Sequence, residues 1–147
     1  MTPESIARIR ESFFEISKEP RLLASRFYEE LFTAAPQLRH LFPVDLTSLQ
    51  GHFEAALALV LRNLEDMPVI EQSLRDLGSQ HVAWGARPED YRIVREALIR
   101  AIHKSSAAWN ESLAGEWRRA ITAIIVPMLE GAAVHTAILA EQFSEEM

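Results

Sequence analysis

The chain has 147 residues, a length that a single hydrophobic core can organise. Apolar residues make up 48% and charged residues 24%, with 5 Gly and 7 Pro, which excludes a disordered, collagenous or low-complexity chain. There is no cysteine, hence no disulfide or thiolate metal site, and a net charge of -6 without a Lys or Arg run argues against a nucleic-acid partner.

Thr2-Pro3-Glu4 reads as a helix start, with a hydroxyl cap, a first-turn proline and a carboxylate at the positive end of the dipole. Ile6, Ile9, Phe13 and Ile16 then follow at helical spacing. A second helix is predicted from near Pro20, carrying Ala24, Phe27, Tyr28, Leu31 and Ala35. Pro36 to Leu46 is too broken for a long helix and reads as one helical turn and a loop. Leu49, Phe53, Ala56, Val60, Leu64 and Met67 form one continuous stripe from about Thr47. A fourth stripe follows Pro68 through Ile70, Leu74, Leu77, His81 and Trp84, with Gly85 as its stop. Tyr91, Val94, Leu98 and Ala101 form a fifth.

The sixth stripe, Leu113, Trp117, Ile121, Ile124 and Met128, extends to about Gln142 and should be kinked by Pro127. Asn110-Glu111-Ser112 should cap it. No segment alternates with period two for long, so the fold class is all-α, with about six to eight helices in one domain spanning residues 1–147. The longest apolar run, Ala120 to Leu129, is too short to span a bilayer, and the charged N-terminus argues against a secretory signal. No membrane partner and a cytoplasmic location are expected.

His81 falls on the apolar face of its helix, where an imidazole needs a hydrogen-bond partner or a metal. Periodicity alone favours a satisfied core histidine. His40 and His103 read as solvated and His135 as structural. Tyr28, on the inward edge of its helix, reads most simply as a core phenol bonded to a backbone carbonyl. Glu15, Glu19, Glu29 and Glu30 read as a solvated face.

In order and spacing, the stretches Phe27-Tyr28-Glu29-Glu30-Leu31-Phe32, Pro36-x-x-Arg39-x-Leu41-Phe42, Asn63-Leu64-Glu65-x-Met67, Leu77-Gly78-x-x-His81-x-x-Trp84-Gly85 and Tyr91-x-Ile93-Val94 resemble the globins. The likeness is to the bacterial single-domain and flavohaemoglobin-like branch and covers roughly Ser5 to Gly131. It implies a globin fold enclosing haem b (iron protoporphyrin IX), with His81 as proximal iron ligand and Phe42 stacked on the porphyrin. Leu77, Trp84, Tyr91 and Val94 would complete the cofactor-binding set.

In this family Tyr91's counterpart helps tie the histidine to a glutamate on the last helix. That position falls on Ala132 here, with Glu130 two residues away. On the distal side the ungapped frame places Leu49 and Phe53 toward bound ligand, and His52 at the edge beside a haem propionate. A frame shifted by three residues makes His52 the ligand-facing residue or a sixth iron ligand. Tyr28 matches a tyrosine that hydrogen-bonds bound gas.

The resemblance implies reversible binding of dioxygen, and of nitric oxide or carbon monoxide, at a five-coordinate iron, as carrier or as the sensing module of a signalling protein. In the sensor role a homodimer through the last helix or a downstream signalling domain would be the partner. The alternative is a nitric oxide dioxygenase served by a separate reductase. A haem-free interaction module is the third reading, against which His81 and Phe42 speak.

Overall fold

A computed structural model describes residues 1–146. In chain order the elements are α1 (Pro3–Ile16), α2 (Leu22–Ala34), the 3-10 helix η1 (Pro36–Leu41), α3 (Thr47–Arg62), α4 (Pro68–Ala83), α5 (Asp90–Ser105) and α6 (Glu111–Glu146). Strands are absent among the described residues, as the helical periodicity predicts.

Local signals account for several boundaries. Thr2 accepts the Ser5 N–H at 3.1 Å at the start of α1, and Asn110 Oδ1 accepts the Leu113 N–H at 2.8 Å at the start of α6. Gly85, at φ +98°, ends α4. Its N–H donates to the Val82 carbonyl and that of Ala86 donates to the His81 carbonyl, the paired bonds of a Schellman cap.

Other boundaries depend on distant residues. α2 begins at Leu22, close to the expected start near Pro20, where Arg21 takes a left-handed conformation (φ 67°). The Glu54 carboxylate of α3 then accepts the backbone N–H groups of Arg21 and Ala24, each at 3.1 Å. A carboxylate from another helix thus stands where a local cap would normally sit. In return, Arg10 of α1 donates to the Leu61 and Arg62 carbonyls at the end of α3, at 2.9 and 3.1 Å.

The helices assemble mainly as two pairs, α2 with α5 and α4 with α6. Ile9, Leu23, Leu31, Ile102 and Trp117 are fully buried among them. In α4 and α6 the approach is closest at two glycines: a methyl on Gly78 would overlap the Met128 carbonyl, and one on Gly131 would overlap the Arg75 carbonyl. α6 passes through Pro127 as one helix and reaches Glu146, beyond the expected end near Gln142; Met147 lies outside the described residues. Its 36 residues correspond to roughly 54 Å of helix. Within Glu111–Gln142 an 18-residue stretch has a mean hydropathy of 1.7, enough by length and composition to cross a membrane. The ten-residue apolar run understated this, because α6's apolar residues are interrupted in sequence; Trp117, Ala120, Ile121, Met128 and Ala132 are buried within the fold.

Polar straps tie α1 to α6 and reinforce the α2/α5 pair. Glu116 is 2% exposed and ion-pairs with Arg8 of α1, whose Nε lies 2.8 Å from Oε1. Trp117 Nε1 donates to Ser12 Oγ at 3.1 Å. Glu30, expected on a solvated face, instead pairs with Arg100, at 3.0 Å, and with Lys104 of α5. The hydrogen bond from Arg8 holds the Glu116 carboxyl below its ordinary value of 4.5, outweighing the opposing effect of burial. A carboxylate lowered by folding contributes stability above its unfolded pKa and loses it as pH falls through the folded one. Glu116→Gln is therefore expected to melt earlier than the native chain at neutral pH, with the gap closing through the carboxylate range. Thermal unfolding followed against pH checks this, and a gap that stays constant would contradict it.

Candidate functional site

His81 lies on the last turn of α4, half-buried. Its Nδ1 is 2.7 Å from the Leu77 carbonyl oxygen one turn earlier. A carbonyl can only accept, so Nδ1 carries the proton and Nε2 keeps its lone pair. Burial pushes the His81 pKa down, and the Leu77 bond offsets part of that effect. The result is a neutral imidazole whose tautomer and tilt are set by backbone, the form a metal requires. Trp84, 59% exposed, sets its ring 5.0 Å from the imidazole at 57°.

On α2, Tyr28 is buried in an aromatic cluster. Phe32 lies 5.9 Å from it, Phe42 meets it edge-on at 5.7 Å, and Phe53 lies at 6.2 Å while stacking on Phe27 at 4.6 Å. Burial alone raises the Tyr28 pKa, with no hydrogen bond contributing. The expected backbone partner for this phenol is absent among the described residues, so its O–H is free to donate to something else.

Phe42 follows η1 in a loop held by Arg39, a motif residue to which the sequence assigned no role. Arg39 lies over the Phe32 ring and donates to the carbonyls of Phe42, Pro43 and Val44, at 3.3, 2.9 and 3.1 Å. Leu41 lies so close to Gly85 that a side chain there would meet it. The loop thus touches Tyr28 on one side and the end of α4 on the other.

α3 and α4 hardly pack against each other. Their apolar side chains Leu49, Phe53 and Leu77, with Phe42 of the loop and Val94 of α5, remain only partly buried. The buried side of α3 is centred on Leu57, Val60 and Leu61 rather than on the continuous stripe expected, and Ala56 is exposed. At 100° per residue, the order outward from that buried side is Phe53, Val60, Leu49, Ala56 and His52. His52 is exposed.

Behind α4, Tyr91 is 8% exposed and its hydroxyl has no hydrogen-bond partner. It borders a cavity of about 700 Å³ that Val82, Leu129, Ala132 and Thr136 also line. No carboxylate is among the lining residues, and Glu130 is taken up by Arg75 at 3.2 Å. His40 and His103 are exposed, His103 stacking on Trp109 at 4.9 Å, and His135 Nδ1 bonds Ser79 Oγ at 2.8 Å. Among the described residues no group of three or more His, Asp or Glu gathers to hold a bare ion. A lone oriented imidazole suits a metal that brings its own equatorial donors, as haem iron does. The free Nε2, the unbonded phenol and the partly buried apolar rim fit that group.

This arrangement of helices is matched by the Globin family model over residues 25–128. The chain belongs to the globin family. It is 28% identical over 116 residues to the anaerobic nitrite reductase NSHB5 of Oryza sativa subsp. indica, covering 74% of this chain and 80% of that one. It is 30% identical over 104 residues to the flavohemoprotein of Rhizobium meliloti, covering 67% of this chain and 25% of that longer protein. The structure of a bacterial globin from Campylobacter jejuni superimposes with a TM-score of 0.72 at 22% identity, covering 95% and 99% of the two chains. The bacterial haemoglobin branch suggested by the motifs is consistent with these relatives.

A buried hydroxyl without a partner destabilises by about 1–3 kcal/mol relative to an apolar group of the same shape. Tyr91→Phe is therefore expected to leave stability unchanged or raise it by up to that amount. Chemical denaturation measures this, and a loss of stability would mean that the hydroxyl is bonded in solution.

Proposed function

We propose that this chain is a haem protein that binds dioxygen reversibly at a five-coordinate iron, as a gas carrier or as the gas-sensing module of a cytoplasmic signalling protein. The observation that carries the reading is the His81 imidazole, its proton committed to Leu77 and its Nε2 free. Haem b, when bound, would supply an iron centre able to take a diatomic gas. His81 holds the metal, and Phe42, Leu77, Trp84, Tyr91 and Val94 provide the apolar bed for the porphyrin. Leu49 and Phe53 keep water from the gas, and Tyr28 donates its O–H to it. The outward position of His52 on α3 supports a contact with a haem propionate rather than with the iron.

A phenol donating to a ligand that gains negative charge contributes roughly 1.5–3 kcal/mol, about 10- to 100-fold in affinity. Dioxygen polarises more than carbon monoxide and gains more. Nitric oxide, a diatomic of similar size, is a further candidate ligand of the same site. The similarity to a flavohemoprotein supports a second reading, nitric oxide dioxygenase activity with electrons from a separate reductase. Against a strong electron push from the proximal side stands the neutral carbonyl partner of His81, with no carboxylate bonded to the Tyr91 hydroxyl among the described residues.

The ferrous, gas-free protein is expected to show a five-coordinate absorption spectrum. A six-coordinate one would favour His52 on the iron. His81→Ala should lose or scramble haem binding, and an unchanged spectrum at full haem content would overturn the assignment. Tyr28→Phe should speed dioxygen release at least several-fold and leave carbon monoxide release nearly unaltered, as read by stopped-flow; equal effects on both gases would count against the donor role. Nitric oxide consumption with and without a reducing system separates catalysis from binding.

A further inference from the structure

The crossing of α4 and α6 leaves room for no side chain at either of its two contact points. Gly78 rests on the Met128 carbonyl and Gly131 on the Arg75 carbonyl, a reciprocal seat in which backbone meets backbone. Two side-chain links flank it, Ser79 to His135 at 2.8 Å and Arg75 to Glu130 at 3.2 Å. A glycine inside a helix costs roughly 0.5–1 kcal/mol relative to alanine, so two of them call for a reason. Their place on α4 supplies one. The Leu77 carbonyl that orients the His81 ring is bonded directly to the Gly78 nitrogen, so whatever seats Gly78 also seats that acceptor. At the other end of the same turn, the cap from Ala86 ties down the His81 carbonyl.

We infer that Gly78 and Gly131 are positioning residues for His81: the crossing sets the height and rotation of the imidazole, and through it the strength with which the histidine holds the metal. The inference rests on the haem reading above. A methyl at either glycine must lift α4 from α6 or turn it, and the ring moves with the Leu77–Gly78 peptide. Backbone carbonyls cannot swing aside as side chains do, so the displacement cannot be absorbed locally.

The test uses the full chain loaded with haem and reads two quantities. One is the iron–histidine stretching band of the ferrous protein in resonance Raman, the other the transfer of haem to an apo-globin acceptor. Gly131→Ala is expected to shift the band and to weaken haem retention about tenfold or more, the usual effect of disturbing a partner behind a metal ligand. Ile9→Val, a core change in α1, serves as the control: it lowers the melting temperature and leaves the band in place. Should Gly131→Ala not fold, Leu74→Val removes a methylene from the buried side of α4 one turn before Gly78 and is expected to move the band as well. A band unmoved in the variant that folds, with native haem retention, overturns the inference and leaves the haem reading standing. A native chain that shows no iron–histidine band overturns both.

Discussion

Two helices of this protein approach until their backbones touch, and much of the remaining architecture follows from that contact. With Gly78 and Gly131 at the crossing, α4 lies against α6 and its outer face is turned away. His81 and Leu77 are only partly covered by protein as a consequence. α2 and α5 form the second pair, joined to α6 through Arg118–Glu96 and Arg95–Thr122, while α1 is strapped to α6 by Glu116–Arg8 and Trp117–Ser12. The distal helix α3 is held separately, by its own Glu54 at the head of α2 and by Arg10 at its tail. Each wall of the site therefore has its own anchorage, and neither relies on the other for its position.

The polar groups of the site divide into those already satisfied and those left over. His81 Nδ1 and the Arg39 guanidinium are committed to backbone carbonyls, which fixes an imidazole and a loop at little electrostatic cost. The Tyr28 phenol is uncommitted and is surrounded by rings that cannot accept from it along their edges. A protein that leaves one donor free in an aromatic cluster has a place where a small polarisable molecule gains more than water would.

Features encoded by neighbours in sequence were legible without a structure. Thr2, Asn110 and Gly85 mark helix ends because caps act within four residues, and the His81 stripe stood out because its period is local. The ordered motifs from Phe27 to Val94 added the fold and the cofactor. What escaped notice acts across space. Glu54 caps a helix about thirty residues earlier, so nothing near Pro20 announces the cap of α2. Glu30 looks solvated until α5 brings Arg100 and Lys104 to it. The buried side of α3 turned from Ala56 toward Leu57 and Leu61, because alanines fit a packed side and an open one equally well. Gly78 and Gly131 carried a usable signal, two glycines inside helices, but their pairing is visible only at the crossing.

The order in which the chain is made gives the α6 contacts a further meaning. Arg8 must wait for Glu116, more than a hundred residues later, and Gly78 must wait for Met128. During synthesis the helices from α1 to α5 emerge before α6, the element that seats the proximal wall. Pairings between distant residues also cost the most loop entropy to form. A nascent chain of this protein consequently exposes the apolar side chains around His81 until α6 has docked.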